Sequence, residues 1–404
     1  MKRATPALAA VLSQLDAAQL RRQRVTVESF PAAGTRAVRL AGGRELIDFS
    51  SNDYLGLARH PALAAAMGEC AARTGAGSGA SHLVSGHGSE HARLEEELAA
   101  FTGRERALLF STGYMANLAV MTALAGRGER VLLDRLCHAS LIDGARLSGA
   151  AFRRFAHADA RAAAGLAATA PGHTALIATD GVFSMDGDLA PLPQLAHIAN
   201  AREAWLVVDD AHGLGVLGAT GRGALEAFGL TAQDVPVLVG TLGKAFGSFG
   251  AFVAGPAALI ELLIQKARTY IYTTALPQSV AAATRQALKI AQSESWRRER
   301  VLALTARFRR AAAAAGVPLG GSATPIQPVM LGSAAAALTA QRSLEQAGFW
   351  VVAIRPPTVP PGTARLRITL SAAHAESEVD ALVQHLACAC ASAASSATAA
   401  SGAA

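Results

Sequence analysis

The sequence predicts an α/β fold with a parallel sheet and a second, smaller domain. From residue 46 to about residue 285, short apolar runs alternate with longer amphipathic stretches, the pattern of a parallel sheet covered by helices. The chain of 404 residues also exceeds the length that one hydrophobic core usually serves. Together these observations indicate a large α/β domain followed by another domain.

The predicted elements begin with an arm of 45 residues, a helix and then a short hairpin at Gly42-Gly43. The strands of the large domain follow, and each ends in small or polar residues; they are Ala107–Phe110, Val131–Leu133, Ala175–Ala178, Trp205–Val208, Val235–Val239 and Ala251–Ala254. Because ligands of open α/β sheets bind beyond the carboxyl ends of the strands, we expect the functional residues there.

The remaining third of the chain predicts a bridge, a second domain and a tail. A charged helical stretch, Ser279–Ala315, leads into the second domain, which we expect over residues 286–390 after a large domain over residues 46–285. Residues 391–404 are rich in Ala and Ser, which predicts a disordered tail. The predicted strands of the second domain are Ile326–Leu331, Trp350–Ile354 and Arg365–Leu370.

Composition and charge narrow the class of protein. A hydrophobic content of 51% with 17% charged residues is typical of a globular enzyme. The net charge of +7 is weak evidence for nucleic acid, since Lys and Arg are scattered and a basic surface equally attracts a small anion. No apolar run is long enough to span a membrane, and the four cysteines show no disulfide or zinc spacing. We therefore expect a cytoplasmic protein that binds neither nucleic acid nor membrane.

A lysine and an acid follow two neighbouring predicted strands. Asp209 ends the strand in Leu206-Val-Val-Asp-Asp-Ala-His-Gly213, and Lys244 lies 35 positions later in Val239-Gly-Thr-Leu-Gly-Lys-Ala-Phe-Gly247. Pyridoxal 5'-phosphate needs a lysine for its Schiff base and a carboxylate that keeps its pyridine nitrogen protonated. Glycines on both sides of the lysine let the backbone approach a flat ligand closely. The pair predicts this cofactor, with Lys244 and Asp209 as catalytic residues.

Two segments offer groups that suit a phosphate. In Phe110-Ser-Thr-Gly-Tyr-Met-Ala-Asn117, a strand and a glycine turn precede a helix start, so the amides of Gly113 and Tyr114 form an anion site. Thr241, three residues before the lysine, offers a hydroxyl to the same phosphate. Taken alone, the first segment is an ordinary turn between strand and helix, and Thr241 is a turn threonine.

Side chains at other strand ends suit the flat ring of the cofactor. His138 can stack on the ring, and we predict it as the third catalytic residue, although a lone loop histidine is more often structural. Ser184 and His212 can contact the phenolic oxygen of the ring. Alternation along a strand puts Asp209 and Asp210 on opposite faces, so only one of them reaches the pyridine nitrogen. We choose Asp209 for that role and expect the other acid to cap the following segment.

Two other patterns are set aside. The glycine-rich segment Thr74-Gly-Ala-Gly-Ser-Gly-Ala80 lacks the preceding strand and the spacing of a dinucleotide loop, so we expect a flexible loop near the active site. His87 and His91 have the spacing of one helix face, but with no third ligand and no acidic partner motif in view no metal is predicted.

With these residues in place, the chain resembles the α-oxoamine synthases, a pyridoxal-phosphate family of the aspartate-aminotransferase fold (fold type I), from about residue 15 to residue 375. The resemblance implies a large domain with a mainly parallel seven-stranded sheet and a smaller α+β C-terminal domain. Its matching segments are Phe49-Ser-Ser-Asn-Asp-Tyr-Leu-Gly-Leu57, Val84-Ser-Gly86, Glu95-Glu-Glu-Leu98, Gly181-Val-Phe-Ser-Met-Asp-Gly187, Asp209-Asp-Ala-His-Gly213, Thr241-Leu-Gly-Lys244 and the run from Ala353 to His374.

The resemblance also implies roles for residues and a dimer with sites at its interface. For the cofactor, it implies Lys244 as the Schiff-base lysine, Asp209 at the pyridine nitrogen, His138 stacked on the ring, Ser184 and His212 at the ring oxygen, and Gly113, Tyr114 and Thr241 around the phosphate. Thr274, in Tyr272-Thr-Thr-Ala-Leu-Pro277, would reach the phosphate held by the second subunit. On the substrate side, it implies Arg367 at the amino-acid carboxylate, with Arg21, Asn52, His138 and Thr358 nearby.

The implied reaction is a decarboxylative condensation. The run Ile354-Arg-Pro-Pro-Thr-Val-Pro360 resembles the branch that joins L-alanine to pimeloyl-CoA or pimeloyl-acyl carrier protein in biotin biosynthesis. Alternatives are a sister enzyme that uses glycine with another acyl-CoA, a non-catalytic regulatory domain and, more distantly, a dehydrogenase. Ala80 and His82 stand where relatives usually carry Gly and often Arg, which leaves the acyl-chain preference open.

Overall fold

The structure, a computed structural model, describes residues 4–31, 34–169 and 173–401. The strands are β1 Val27–Ser29, β2 Ala37–Leu40, β3 Glu45–Asp48, β4 Arg106–Phe110, β5 Arg130–Asp134, β6 Ala151–Phe155, β7 Thr174–Asp180, β8 Trp205–Asp209, β9 Val237–Thr241, β10 Ala251–Gly255, β11 Ile326–Gly332, β12 Phe349–Trp350, β13 Val352–Ile354 and β14 Ala364–Thr369.

The helices alternate with these strands over most of the chain. They are α1 Ala4–Ala17, α2 Pro61–Thr74, α3 Ser89–Thr102, α4 Gly113–Leu124, α5 Ala139–Ser148, α6 Ala160–Thr169, α7 Leu192–Ala201, α8 Ala224–Ala227, α9 Ala257–Lys266, α10 Arg268–Ile271, α11 Gln278–Ser293, α12 Trp296–Ala314, α13 Ala334–Gln346 and α14 Glu376–Ser401. A single π-helical turn, His82–Gly86, precedes α3. No helix in the described ranges combines the length and apolar character needed to cross a membrane.

The chain divides into two compact units. The large unit comprises residues 52–184 and 188–300, and the small unit comprises residues 1–51, 185–187 and 301–404. The sequence placed its boundaries after residues 45 and 285 and treated the first segment as a separate arm, and that division stays a prediction. The last helix continues to Ser401, where the sequence predicted a disordered tail from residue 391. Alanine favours helix more than any other residue, which explains the difference; residues 402–404 lie outside the described residues.

The large unit is built on a sheet of seven strands in the order β4-β10-β9-β8-β7-β5-β6. Strand β10 runs antiparallel to both its neighbours, and the remaining pairs are parallel. This confirms the mainly parallel seven-stranded sheet. Six of its strands overlap the predicted ones, while β6 had no counterpart in the sequence prediction.

The interior of this sheet explains why its strands are continuous apolar runs. Every residue of β5, β7 and β10 is buried, as a sheet covered by helices on both faces requires. The parallel register pairs Asp180 with Asp209 and Asp209 with Val239, so the carboxyl ends of β7, β8 and β9 lie at one edge. The residues that follow these ends are therefore held beside each other.

The small unit contains two sheets, β1-β2-β3-β12 and β11-β14-β13. The predicted hairpin is confirmed, because β2 and β3 pair antiparallel around Gly42 and Gly43, whose φ values of 92° and 83° suit glycine. The three strands predicted after residue 320 also form, the second of them as two short pieces, β12 and β13. The predicted helical stretch Ser279–Ala315 forms as two helices, α11 and α12, interrupted at residues 294 and 295.

Candidate active site

Lys244 lies in the loop after β9 and contacts a histidine that follows β8. Its Nζ is 2.8 Å from Nε2 of His212, and Nδ1 of the same ring is 2.7 Å from the hydroxyl of Tyr54. Tyr54 and His212 are buried, with 1% and 7% of their surfaces exposed. The lysine amine is therefore positioned by a buried ring that a second buried side chain orients. Tyr54 lies in a segment that the resemblance used, but the sequence gave it no role.

Glycine geometry fixes the loop that carries the lysine. The amide of Gly247 donates to the carbonyl of Lys244 at 2.8 Å, and its φ is +61°. A Cβ at Gly247 would lie 2.2 Å from the backbone nitrogen of Ala58, so no larger residue fits there without movement. The backbone around Lys244 is thus closely packed against a neighbouring segment.

The acid at the end of β8 belongs to a buried hydrogen-bond chain. Asn117 donates its side-chain amide to Asp209 at 2.6 Å and to the hydroxyl of Ser140 at 2.8 Å, and Ser140 contacts Nδ1 of His138 at 2.7 Å. The amide of Ala211 donates to the other oxygen of Asp209 at 3.0 Å. These bonds fix the carboxylate of Asp209 and the ring of His138 relative to each other.

Two residues of this hydrogen-bond network, Asn117 and Ser140, were not among the site residues predicted from the sequence. Asn117 closes the quoted run from Phe110, one helical turn after Gly113, and Ser140 is two residues after His138. Their polar character in apolar surroundings was the signal available. The carbonyl oxygen of the Asn117 side chain is buried and has no hydrogen-bond partner within the described ranges.

The charges of Lys244 and Asp209 both act on His138. Burial lowers the pKa of His138, Asp209 raises it and Lys244 lowers it further, with a net decrease from its ordinary value. This net decrease favours the neutral imidazole of His138. Because all three groups interact electrostatically, the structure brings together the three residues that the sequence named as catalytic.

Asp210 occupies a different environment from Asp209. Its carboxylate accepts the amide of Ala224 at the start of α8 at 2.7 Å, and burial raises its pKa to about 8. The sequence expected one acid of the pair to cap the following segment, and Asp210 makes that contact. Buried Asp180, paired with Asp209 across the sheet, accepts the amide of His138 at 3.1 Å.

The groups predicted for a phosphate lie at the ends of β4 and β9. Gly113 is the first residue of α4, with Thr112 as its N-cap, so the amides there are open to an anion. Tyr114 is exposed and donates its hydroxyl to Asp143, while its ring meets that of His138 edge-on at 6.4 Å. Thr241 ends β9 and donates its hydroxyl to the carbonyl of Gly250 at 3.2 Å.

Ser184 and Thr274 have less distinctive surroundings in the large unit. Ser184 is partly buried in the turn after β7. Thr274 is exposed and forms an isolated antiparallel bridge with Ser81. An exposed threonine held by backbone pairing is available to a second chain.

The predicted substrate residues divide between the units. In the large unit, the side-chain oxygen of Asn52 accepts the hydroxyl of Tyr54 at 3.2 Å, beside the lysine relay. In the small unit, Arg21 and Thr358 line one open groove of about 670 Å³. Arg21 pairs with Asp16 at 2.7 Å, and Thr358 accepts a hydrogen bond from Arg22 at 2.9 Å. Arg367 lies on β14 with only 7% of its surface exposed.

The absence of a metal site stays a prediction, but the structure changes its premise. The prediction relied on the lack of a third ligand beside His87 and His91. His82, from the loop that departs from the usual pattern, supplies that third imidazole, with one ring nitrogen of each histidine within 4.8 Å of the others. Sequence spacing concealed it because a π-helical turn, rather than an α-helix, connects His82 to the following residues.

The donor set at the lysine fits pyridoxal phosphate. A lysine amine, a buried carboxylate fixed by two N–H donors, a neutral imidazole and the open amides of a helix start match the aldehyde, pyridine nitrogen, ring face and phosphate of that molecule. The unpartnered buried oxygen of Asn117 marks the same polar pocket.

A family model described as "Aminotransferase class I and II" matches residues 44–386 of the chain. Curated relatives named 8-amino-7-oxononanoate synthase cover most of its length. The relative from Methylococcus capsulatus is 60% identical and covers 94% of this chain and 97% of its own. The relative from Thioalkalivibrio sulfidiphilus is 62% identical, with coverage of 85% and 88%.

Solved structures agree with this similarity. A serine palmitoyltransferase from S. paucimobilis, solved with bound PLP and myriocin, superposes with a TM-score of 0.90 at 31% identity and covers 96% of this chain and 98% of its own. An 8-amino-7-oxononanoate synthase from Francisella tularensis gives a TM-score of 0.74 at 33% identity, with coverage of 85% and 97%.

Proposed function

The chain belongs to the class I and II aminotransferase family, in which its relatives over most of its length are 8-amino-7-oxononanoate synthases, and we propose that it catalyses the reaction of those relatives. L-Alanine and a pimeloyl thioester condense, and the products are 8-amino-7-oxononanoate, carbon dioxide and the free thiol. The observation that carries this proposal is 60% identity over 94% of the chain. The reaction belongs to biotin biosynthesis.

Pyridoxal phosphate supplies an electron sink that stabilises negative charge at the α-carbon of the amino acid. The residues of this chain do the rest. Lys244 would hold the cofactor, and its Nζ would accept the α-proton of the amino acid. Its contact with His212 at 2.8 Å keeps the amine directed and gives the proton a neighbouring nitrogen.

The other groups of the pocket orient the ring and the phosphate. Asp209, fixed by Asn117, would lie at the pyridine nitrogen, and the ring of His138 would cover one face of the cofactor ring. Ser184 and His212 would contact the ring oxygen. The amides of Gly113 and Tyr114, with the hydroxyl of Thr241, would hold the phosphate.

The substrate-binding residues complete the proposal. Arg367 would bind the carboxylate of L-alanine, and Asn52, next to Tyr54, would contact the same amino acid. The groove of the small unit, with Arg21, Arg22, Arg355 and Thr358 on its walls, carries the charge that would suit an anionic acyl substrate. Either coenzyme A or an acyl carrier protein can present the acyl group.

We also propose a homodimer in the cytoplasm. The exposed position of Thr274 supports a role at the phosphate of the second subunit. The four cysteines are free thiols, and Cys70 and Cys137 are buried, as suits a reducing compartment.

The test is free-thiol release by the purified protein loaded with pyridoxal phosphate. Pimeloyl-CoA is offered with L-alanine or with glycine, and pimeloyl-acyl carrier protein with L-alanine in parallel. Thiol release that depends on L-alanine and either pimeloyl donor is expected. Release only with glycine and a shorter acyl-CoA would move the protein to a sister branch, and no release with any pair would overturn the proposal.

A further inference from the structure

Three histidines of the large unit gather at a place to which the proposed reaction assigns no role. His82 begins the π-helical turn, His87 directly follows that turn, and His91 lies in the first turn of α3. The three ring centroids are 5.1–5.6 Å apart. One ring nitrogen of each lies within 4.8 Å of the other two. Such a convergence of imidazoles from three positions of the chain is the geometry of a metal site.

We propose that His82, His87 and His91 bind one divalent transition-metal ion, with Zn²⁺ as the ion that three imidazoles suit best. Zn²⁺ takes nitrogen ligands in a tetrahedral arrangement, and with three protein ligands its fourth position is open to water. Hard ions such as Mg²⁺ and Ca²⁺ prefer oxygen ligands and are not expected at this place.

Each of the three rings can present a lone pair to an ion. His91 donates Nε2–H to the carbonyl of Leu276 at 2.7 Å, so the lone pair of this ring is on Nδ1, where it accepts the amide of Gly88 at 2.9 Å. An ion would replace that amide as the partner of Nδ1. His82 and His87 face each other through their Nδ1 atoms at 2.9 Å, so one of these atoms carries a proton. Metal binding requires that this proton move to Nε2 of its ring, with no change in charge.

The surroundings resemble those that orient ligating histidines. A metal-bound imidazole usually donates its other N–H to a carbonyl or carboxylate. Leu276 provides the carbonyl for His91, and the carboxylate of Glu95 is 3.9 Å from Nε2 of His87. A proton transferred to Nε2 of His87 would therefore meet an acceptor.

Burial favours the neutral form of the three imidazoles. It lowers the pKa of His82 to about 3, with smaller contributions from the other two rings. It is also the first cause of the lowered pKa values of His87 and His91.

The site is accessible from one side. His82 and His91 are buried, and the ring of His82 stacks on that of Tyr270 at 4.9 Å, whereas His87 is exposed. Two ligands are thus held in place while the third can turn towards an arriving ion. Through His91 and Leu276, a bound ion would also tie the π-helical turn to the segment that carries Thr274.

The first experiment measures Zn²⁺ binding by equilibrium dialysis of the pyridoxal-phosphate-loaded protein after treatment with a chelator. One ion per chain is expected to bind, and the affinity is expected to fall at least tenfold in His87→Gln. His197→Gln, which removes an exposed histidine of α7 outside the cluster, should bind as the unsubstituted protein does. Because His87 is exposed, its replacement removes a ligand without emptying a buried position. Absence of saturable binding, or equal affinity in His87→Gln and the unsubstituted protein, would overturn the proposal.

The second experiment reads the ligand set directly and does not depend on a variant. Co²⁺ in a tetrahedral site with nitrogen ligands has intense visible bands, whereas hexaaqua Co²⁺ is nearly colourless. Addition of Co²⁺ to the protein should produce these bands in proportion to bound metal, and Zn²⁺ should abolish them. A Co²⁺ spectrum identical to that of the free ion in the presence of saturating protein would contradict a three-histidine site.

Discussion

The amine of Lys244 lies 2.8 Å from Nε2 of the buried ring of His212. We predict that Lys244→Ala reduces thiol release by a factor of about 10⁴ or more, because both cofactor attachment and proton transfer depend on this nitrogen. The fold should persist, since the lysine is only partly buried. Lys266→Ala, at an exposed position of α9, is the matched control and should retain full activity. Normal turnover by Lys244→Ala would show that another residue performs the chemistry.

Tyr54 acts through His212 rather than on the substrate, so we regard it as a positioning residue. Tyr54→Phe removes the hydroxyl 2.7 Å from Nδ1 and leaves a buried nitrogen without that partner. Loss of one such bond costs about 1.4 kcal/mol, so we predict about a tenfold decrease in kcat. The pH profile of kcat should shift as well, because the ring that contacts Lys244 changes its hydrogen bonding. Tyr272→Phe, which alters a tyrosine with 70% of its surface exposed, should change neither quantity.

At the residue scale, the sequence predicted the charged members of the pocket and missed their neutral supports. Asp209 and Lys244 could be found because a charge next to an apolar strand has few structural explanations. Asn117 and Ser140 could not be separated from ordinary helix residues until the fold placed them between Asp209 and His138. Neutral residues that hold a charged side chain in place are positioned by tertiary packing, which local sequence does not encode.

The loop after β9 gives a prediction about a single element. Gly247 and Gly229 have similar φ values, +61° and +68°, but only at Gly247 would a Cβ meet backbone, at 2.2 Å from the nitrogen of Ala58. Gly229→Ala should therefore lower the free energy of unfolding by about 1 kcal/mol, which is the strain of a non-glycine residue in the left-handed conformation. Gly247→Ala should lower the free energy of unfolding by at least about 2 kcal/mol more than Gly229→Ala does, because the packed loop has to move. Urea unfolding of both variants measures the difference, and equal losses would mean that the close approach has no energetic weight.

The turns after β5 and β7 are connected by a charged histidine. Nδ1 of His157 is 3.0 Å from Asp134, and Nε2 is 2.8 Å from Asp188. Burial lowers the pKa of His157, but the hydrogen bonds to both carboxylates outweigh this effect and raise it to about 10. The proton is therefore bound more tightly in the folded chain than in the unfolded chain, where the pKa is about 6.5.

The sign of the pH dependence follows from that increase. The stabilisation is complete below about pH 6.5 and is lost as the pH rises towards about 10. Since the side chain is 25% exposed, we predict a discounted contribution of about 2 kcal/mol at pH 6. His157→Gln should be less stable than the unsubstituted protein by this amount at pH 6 and nearly equal to it at pH 10. A stability difference that does not change with pH would show that the ion pairs contribute little.

At the element scale, prediction succeeded for buried strands and failed at the sheet edge. Strand β6 was missed because Ala151-Phe-Arg-Arg-Phe155 has two arginines and pairs only with β5, so most of its residues are outside the core. The break at residues 294 and 295, between α11 and α12, was not predicted, because these two residues are polar, as are many residues of the helices around them. Apolar periodicity detects elements through burial, and it is weak where burial is weak.

At the scale of the whole molecule, the sequence did not reveal which segments of the chain form the small unit. It joins residues 1–51 to residues 301–404, and β3 of the first segment pairs in parallel with β12 of the second, for example Ile47 with Phe349. Local patterns identified these strands separately. No periodic signal specifies that two segments about 300 residues apart share a sheet, so the first segment was interpreted as a separate arm.

The proposed dimer leads to a prediction that no single chain can test. If Thr274 reaches the phosphate of the other subunit, each active site takes Lys244 from one chain and Thr274 from its partner. A Lys244→Ala chain and a Thr274→Asp chain are then each inactive alone, the second because a carboxylate repels the phosphate. In a mixed dimer, however, the site that keeps Lys244 receives the intact threonine of the other chain.

Random reassociation of equal amounts makes half of the dimers mixed, and each has one working site of two. We predict about a quarter of the activity of the unsubstituted protein after denaturation and refolding of the mixture. If Thr274 served its own subunit, neither site of a mixed dimer would be complete and the activity would stay near zero. A chain with both substitutions, refolded with an equal amount of the unsubstituted chain, is the control. If the sites are shared as proposed, each site of its mixed dimers lacks one of the two groups, so about a quarter of the activity remains, all of it from unsubstituted dimers. If Thr274 served its own subunit, one site of each mixed dimer would work and about half of the activity would remain. Recovery of a quarter in the first mixture would thus assign Thr274 to the interface, because only an exchange between subunits restores a complete site from two inactive chains.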